Sequence, residues 1–251
     1  MAKSPSGSLK SRSVSLPPAA RLALSKLAKL PEVVPGRPRL RGALPWPVRS
    51  GAPAHGRSAP DPMRSFAPHR LGRYECDAWV AYYRREWGRF LQSSLGMVHE
   101  GFGMDWPRTV QGAYLVLRAN QLWAPYPDND PDGARRLMRR FYALVASQHG
   151  IELDVDRAAE LEVQWWRVHR YLQRESPDGS VQPLTDALAA LYAHVYGVGS
   201  EQVREAAELR AQAMVVSDRW VDQGCDLGSA LLVDELTGLV RSYGSLRAAV
   251  A

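Results

Sequence analysis

The sequence predicts an all-helical protein: a single bundle of about seven antiparallel helices preceded by a disordered, basic, Pro-rich N-terminal arm. Three observations carry this. Apolar residues recur at helical spacing from Tyr74 to the C-terminus, with no sustained two-residue alternation. Capping residues and glycines punctuate that pattern at regular intervals. Composition also changes abruptly near residue 73, which divides the chain into an arm, 1–73, and a helical domain, 74–251.

Residues 1–73 hold 14 of the 32 Lys and Arg, 12 of the 18 Pro and only 2 of the 26 Asp and Glu. The arm therefore carries a net +12 and residues 74–251 a net −6. The isoelectric point of about 9.5 thus belongs to the arm, and the domain itself is acidic. Within the arm, residues 1–15 and 31–62 bury too little apolar surface to offset their ordering entropy. Between them, Ala19 to Leu30 has the pattern of a short basic amphipathic helix. Nucleic acid or an anionic membrane would be bound only through this arm, and a solvated tail is the plainer reading. Met63 offers an alternative start, because the Arg, Pro, Ala and Gly enrichment upstream suits a mis-assigned frame in GC-rich DNA.

The domain's helices follow in order. Asp77 caps a first helix running to about Val98, ended by Gly101 and Gly103. Asp105-Trp106-Pro107 starts a second, through Trp123. Asp130-Pro131 opens a third, which stops at Gly150. Asp154 caps a fourth, running to Glu175 before the turn Ser176-Pro177-Asp178-Gly179. A fifth covers about Pro183 to Tyr196, a sixth about Glu201 to Gln223, and a seventh about Ser229 to Ala249. Short loops make neighbouring helices antiparallel. Seven of the eight Trp lie in the domain, so its core is strongly aromatic.

Several function classes find no support. Cys76 and Cys225 alone make no disulfide framework and suit a reducing compartment. No run approaches the ~18 apolar residues of a membrane span, and the N-terminus lacks a signal-peptide core, so a cytoplasmic location is expected. Asp128-Asn129-Asp130-Pro131-Asp132-Gly133 matches the first half of a calcium loop. Arg139 stands where the bidentate Glu belongs, however, and helix capping by Asp130 explains the cluster. Ala193, Gly197 and Val203 have helix-turn-helix spacing, but Glu201, Glu205 and Glu208 would face the phosphates, so the folded domain is not expected to bind nucleic acid. No metal and no cofactor is assigned.

What remains is a set of polar residues on apolar helix faces. Stepping 100° per residue places Glu86 among Trp79, Tyr83, Phe90 and Met97. Glu162 and His169 flank the seam of Leu161, Trp165, Val168 and Leu172. Arg210 sits near the centre of the face formed by Ala206, Ala213 and Trp220. Buried charges must be paired or neutralised, so Glu86, Glu162, His169 and Arg210 form the candidate buried network, with Arg210 paired to Glu86 or Glu162. The alternative is a polar site inside the bundle. A di-iron centre would need a Glu-x-x-His pair, which is absent, and Glu162 and His169 lie about 10.5 Å apart along the axis. Asp218 and Asp222, four residues apart, fall toward a polar edge and read as solvated surface.

Three segments (Tyr82 to Trp87, Ala119 to Asp130 and Glu162 to Arg170) together resemble uncharacterised all-helical proteins of GC-rich bacteria. The resemblance covers residues 74–251, brings no assigned activity, and favours Met63 or a nearby start for the shared unit. The expected function is that of an intracellular helical binding or interaction protein, its protein partner unidentified. The alternative is a metal-dependent or small-ligand enzyme with its site in the bundle interior.

Overall fold

Eight α-helices account for most of residues 61–251, which the computed structural model describes. They are α1 Pro68–Tyr83, α2 Trp87–Phe102, α3 Trp106–Trp123, α4 Pro131–His149, α5 Val155–Glu175, α6 Gln182–Tyr196, α7 Arg204–Asp222 and α8 Leu231–Val250. Single 3-10 turns occur at Pro62–Arg64 and Ser200–Val203. The all-α bundle is as expected, and no described helix is long and apolar enough to cross a membrane. The expectations for residues 1–60, including the helix at 19–30, lie outside the described residues.

Each helix packs against its neighbours in the chain, and α8 closes back on α1. The closure is antiparallel: Phe66, just before α1, meets Tyr243 edge-on, Gly72 abuts Leu239 and Val240, and the Cys76 thiol faces the Leu232 carbonyl. The result is a ring of helices whose interior is lined by side chains. Most of the expected termini hold. Asp105, Asp130 and Asp154 each accept a backbone N–H three residues on, which satisfies orphan donors of the first turn. The cap explains the Asp128–Asp132 cluster. Gly150 and Gly197 close their helices at φ 62° and 64°, the left-handed geometry that a residue without Cβ adopts at little cost.

The expected first helix is corrected in both directions. Asp77 is not its cap, because α1 already begins at Pro68. The helix also does not reach Val98 unbroken. Arg85 turns left-handed at φ 59°, its N–H bonds to Tyr82 and that of Glu86 to Ala81, the paired bonds of a Schellman turn. An arginine in place of the usual glycine hides this stop from a sequence reading, and the helix count rises from seven to eight.

The boundary at 73/74 is corrected as well. Met63 and Phe66 are fully buried. Arg64 bonds the carbonyls of Tyr196 and Val250, at 2.8 and 2.5 Å, and so ties the ends of α6 and α8. Residues 61–73 are thus part of the domain, and residues 61–251 carry 21 Arg against 25 acids, a net −4. Their Pro and Arg content masked them as arm. Phe66→Ala is expected to lower unfolding free energy by about 3 kcal/mol in urea titrations. A change within about 0.5 kcal/mol, typical of an exposed tail, would return the segment to the arm.

Candidate functional site

The ring interior holds a buried ion pair that sequence reading placed on the wrong residue. Arg210 of α7 donates from Nη2 and Nε to Glu75 Oε1, at 2.6 and 2.9 Å. Glu75, on α1, is 1% exposed and Arg210 8%. Tyr243 of α8 donates to the other oxygen at 2.5 Å, and Trp79 Nε1 adds a bond to Oε1 at 3.2 Å. Trp165 and Tyr192 present their rings to the guanidinium, 5.0 and 5.9 Å from their centroids. Burial opposes the charge on Arg210, but Glu75 and the phenols of Tyr192 and Tyr243 more than offset it, so its pKa stands well above the ordinary value.

Glu86 is not part of this network. It lies at the surface, bonded to Arg84 and Arg89 at 2.8 Å each. Bonds from Arg89 and Arg84 hold its carboxyl below the usual range. The helical phase that seemed to carry Glu86 inward is reset by the turn at Arg85. Glu162 does face inward but does not pair with Arg210. Tyr142 donates to its Oε2 at 2.6 Å, and Trp165 and Trp166 both donate to Oε1 at 3.1 Å. Burial raises its pKa against the opposing pull of these donors and of Arg210.

His169 belongs to a separate cluster. Its Nε2 donates to Asp218 Oδ2 at 3.0 Å, and its ring stands edge-on to Trp79 at 5.5 Å. Gln173 and Tyr83 donate to Asp218 Oδ1 at 2.6 and 3.3 Å. Asp218 is therefore a largely buried acceptor, which corrects its reading as solvated surface. Three helices, α1, α5 and α7, meet in this cluster. Among the described residues no group of three His, Cys, Asp or Glu side chains could hold a metal ion.

Between the polar groups lies a cavity of about 190 Å³. Trp79, Phe90, Phe141, Trp165, Leu191 and Leu246 form much of its wall. The Glu75–Arg210 pair, Glu162 and Tyr142 are among the polar groups that line it. Ser94 also lines it, with a buried hydroxyl that has no partner among the described residues. Beyond Trp79, Tyr82, Asn120, Trp165 and Trp166, which both spaces share, lies a second cavity of about 70 Å³.

Sequence reading missed Glu75, Tyr243, Tyr142 and Glu235. Glu75 was legible in principle, since Glu75, Trp79 and Tyr82 share a face at i, i+4 and i+7, but only to a reading that started the helix before residue 74. Glu235, on α8, is 1% exposed, and neither carboxyl oxygen has a partner among the described residues. Burial, reinforced by the nearby Glu75, pushes its pKa up to about 8. It therefore stays protonated in the folded protein where the unfolded chain would ionise it.

Comparison with family models, with curated proteins and with solved structures finds no match.

Two outcomes are expected of these groups. Arg210→Met alone strands the Glu75 charge and should cost about 3–5 kcal/mol, whereas adding Glu75→Gln should recover part of that loss. Additive losses in chemical denaturation would show that the pair is not coupled. The carboxyl of Glu235 is protonated when folded and ionised when unfolded between pH 4.5 and about 8. Its contribution to stability is therefore greatest at low pH and falls as pH rises through that window, by on the order of 1 kcal/mol per pH unit. Glu235→Gln should flatten that slope, and an unchanged slope between pH 5 and 8 would place the titration elsewhere.

Proposed function

We propose that the protein binds a small, largely apolar molecule inside the helical ring. The observation that carries this reading is the 190 Å³ cavity, aromatic and aliphatic in its walls yet furnished with a few convergent polar groups. That combination is typical of small-molecule sites. A cavity of about 150 Å³ accommodates benzene, so one or two fused rings match the space. The polar groups supply orientation. Glu162 already accepts three bonds, and the Glu75–Arg210 pair is closed on itself with Tyr243. A ligand therefore meets fixed dipoles and needs no rearrangement to be recognised.

A second reading, chemistry on the bound molecule, is favoured by Glu162. A carboxyl with a raised pKa at a cavity wall is the kind of group that serves as general acid or base. An infrared carboxyl band that titrates above the ordinary carboxylate range and vanishes in Glu162→Gln supports it. A Glu162 ionised throughout that range removes it.

The binding reading is tested with 2-naphthamide, an uncharged two-ring probe, titrated into the full chain. Trp79, Trp165 and Trp166 line the cavity, so saturable one-to-one binding should change tryptophan emission and give a calorimetric isotherm. Ser94→Leu removes an unsatisfied buried hydroxyl and fills cavity space with its side chain. It should raise stability by about 1 kcal/mol and weaken the probe at least about tenfold. Absent or non-saturable binding, or an affinity indifferent to Ser94→Leu, removes the proposal.

A further inference from the structure

The second cavity differs in character from the first. Arg85, Arg170 and Arg174 converge on it, and none of the three forms an ion pair among the described residues. Their neighbours Arg84 and Arg89 are both paired with Glu86, so the contrast is local.

Aromatic rings and carbonyls hold these arginines in place without neutralising them. The Arg170 guanidinium lies 4.2 Å from the Trp123 ring centroid and 5.6 Å from that of Tyr126. It spends single N–H groups on the Tyr82 hydroxyl and the Pro125 carbonyl, at 3.3 and 3.5 Å. Arg174 approaches the Tyr126 ring at 5.7 Å. Arg85 bonds the Ala124 carbonyl at 3.2 Å and stands over Tyr82 and Trp87. A guanidinium has five N–H donors in a rigid fork, so most of this donor capacity is unspent. Neither Glu175 nor Asp218 pairs with these arginines among the described residues: Glu175 accepts the Tyr126 hydroxyl, and Asp218 is held by His169, Gln173 and Tyr83.

Two further facts indicate that the cluster has a purpose. Arg170 is half-buried, and this burial lowers its pKa. Charge withdrawn from water without an anionic partner is costly. Arg85 occupies a left-handed position, φ 59°, where glycine would be the less strained residue. The shared wall of Trp79, Tyr82, Asn120, Trp165 and Trp166 places the arginines directly beside the apolar cavity.

We infer that the ligand is an amphipathic organic anion, its apolar body in the interior cavity and its anionic group on Arg85, Arg170 and Arg174. The inference rests on the small-molecule reading above, and it adds the ligand's charge and the place of its anionic group.

The test compares 2-naphthoate with its uncharged isostere 2-naphthamide on the full chain, by calorimetry at low and high salt. Naphthoate should bind at least about tenfold more tightly at low salt, as charge-assisted bonds to arginine imply. Added salt should reduce that preference. Both Arg170→Gln and the surface pair Arg85→Gln/Arg174→Gln should abolish the preference and leave naphthamide affinity unchanged. The surface pair keeps the test decisive if Arg170→Gln lowers stability. Equal affinities, or a preference that survives the arginine variants, overturns the inference while leaving the cavity reading intact. An arginine-dependent naphthoate affinity that Ser94→Leu does not touch upholds the anion site and removes the interior cavity from it. Failure of both probes to bind removes both.

Discussion

The Glu75–Arg210 pair is the constraint on which the rest of the interior depends. Removing two charges from water costs several kcal/mol each, and their attraction compensates only when the remaining donors and acceptors are satisfied. Here Tyr243 and Trp79 complete Glu75, while Trp165 and Tyr192 face Arg210. Satisfying one pair thus fixes side chains from α1, α5, α6, α7 and α8. Phe66 extends the chain of dependence to residues 61–67, since its ring packs edge-on against Tyr243. Alignment of the α1, α7 and α8 registers is the structural result.

The same constraint explains why the interior is not filled. Helices that pack in chain order and close α8 on α1 enclose a space that no central helix among the described residues occupies. Side chains must span that space. The ones available are large, rigid and partly polar, and Trp79, Trp165 and Trp166 are each held by an indole N–H bonded to a carboxylate. A ring pinned at its N–H cannot shift to close a gap as a methionine or leucine can. Polar satisfaction and close packing therefore compete, and the cavity lies where polar satisfaction prevailed.

Helix type and most helix ends were legible in the sequence because local chemistry determines them: Asp105, Asp130 and Asp154 cap, Gly150 and Gly197 stop. The inward direction of Glu162, His169 and Arg210 was legible because helical phase holds within an unbroken helix. What failed is what depends on other segments. Helical phase carried through Arg85 points Glu86 inward, but the left-handed turn there breaks the phase, and the buried carboxylate is Glu75 on the preceding helix. Asp218 looked like a polar edge because its burial is supplied by Tyr83, His169 and Gln173 on other helices. The 61–67 segment looked like arm because proline and arginine dominate a composition count, whereas its role rests on the particular contacts of Arg64 and Phe66.

The break at Arg85 joins these threads. One residue of left-handed backbone turns the chain out of α1, sends Glu86 to the surface with Arg84 and Arg89, and leaves the Arg85 side chain over Tyr82 and Trp87 beside Arg170 and Arg174. The domain as a whole is acidic, net −4 over residues 61–251, so overall charge does not attract an anion to it. Attraction must come from local geometry, where three guanidinium groups share one aromatic-walled space and, among the described residues, no carboxylate pairs with them. A fixed cluster of this kind favours a small anion that can enter the cavity.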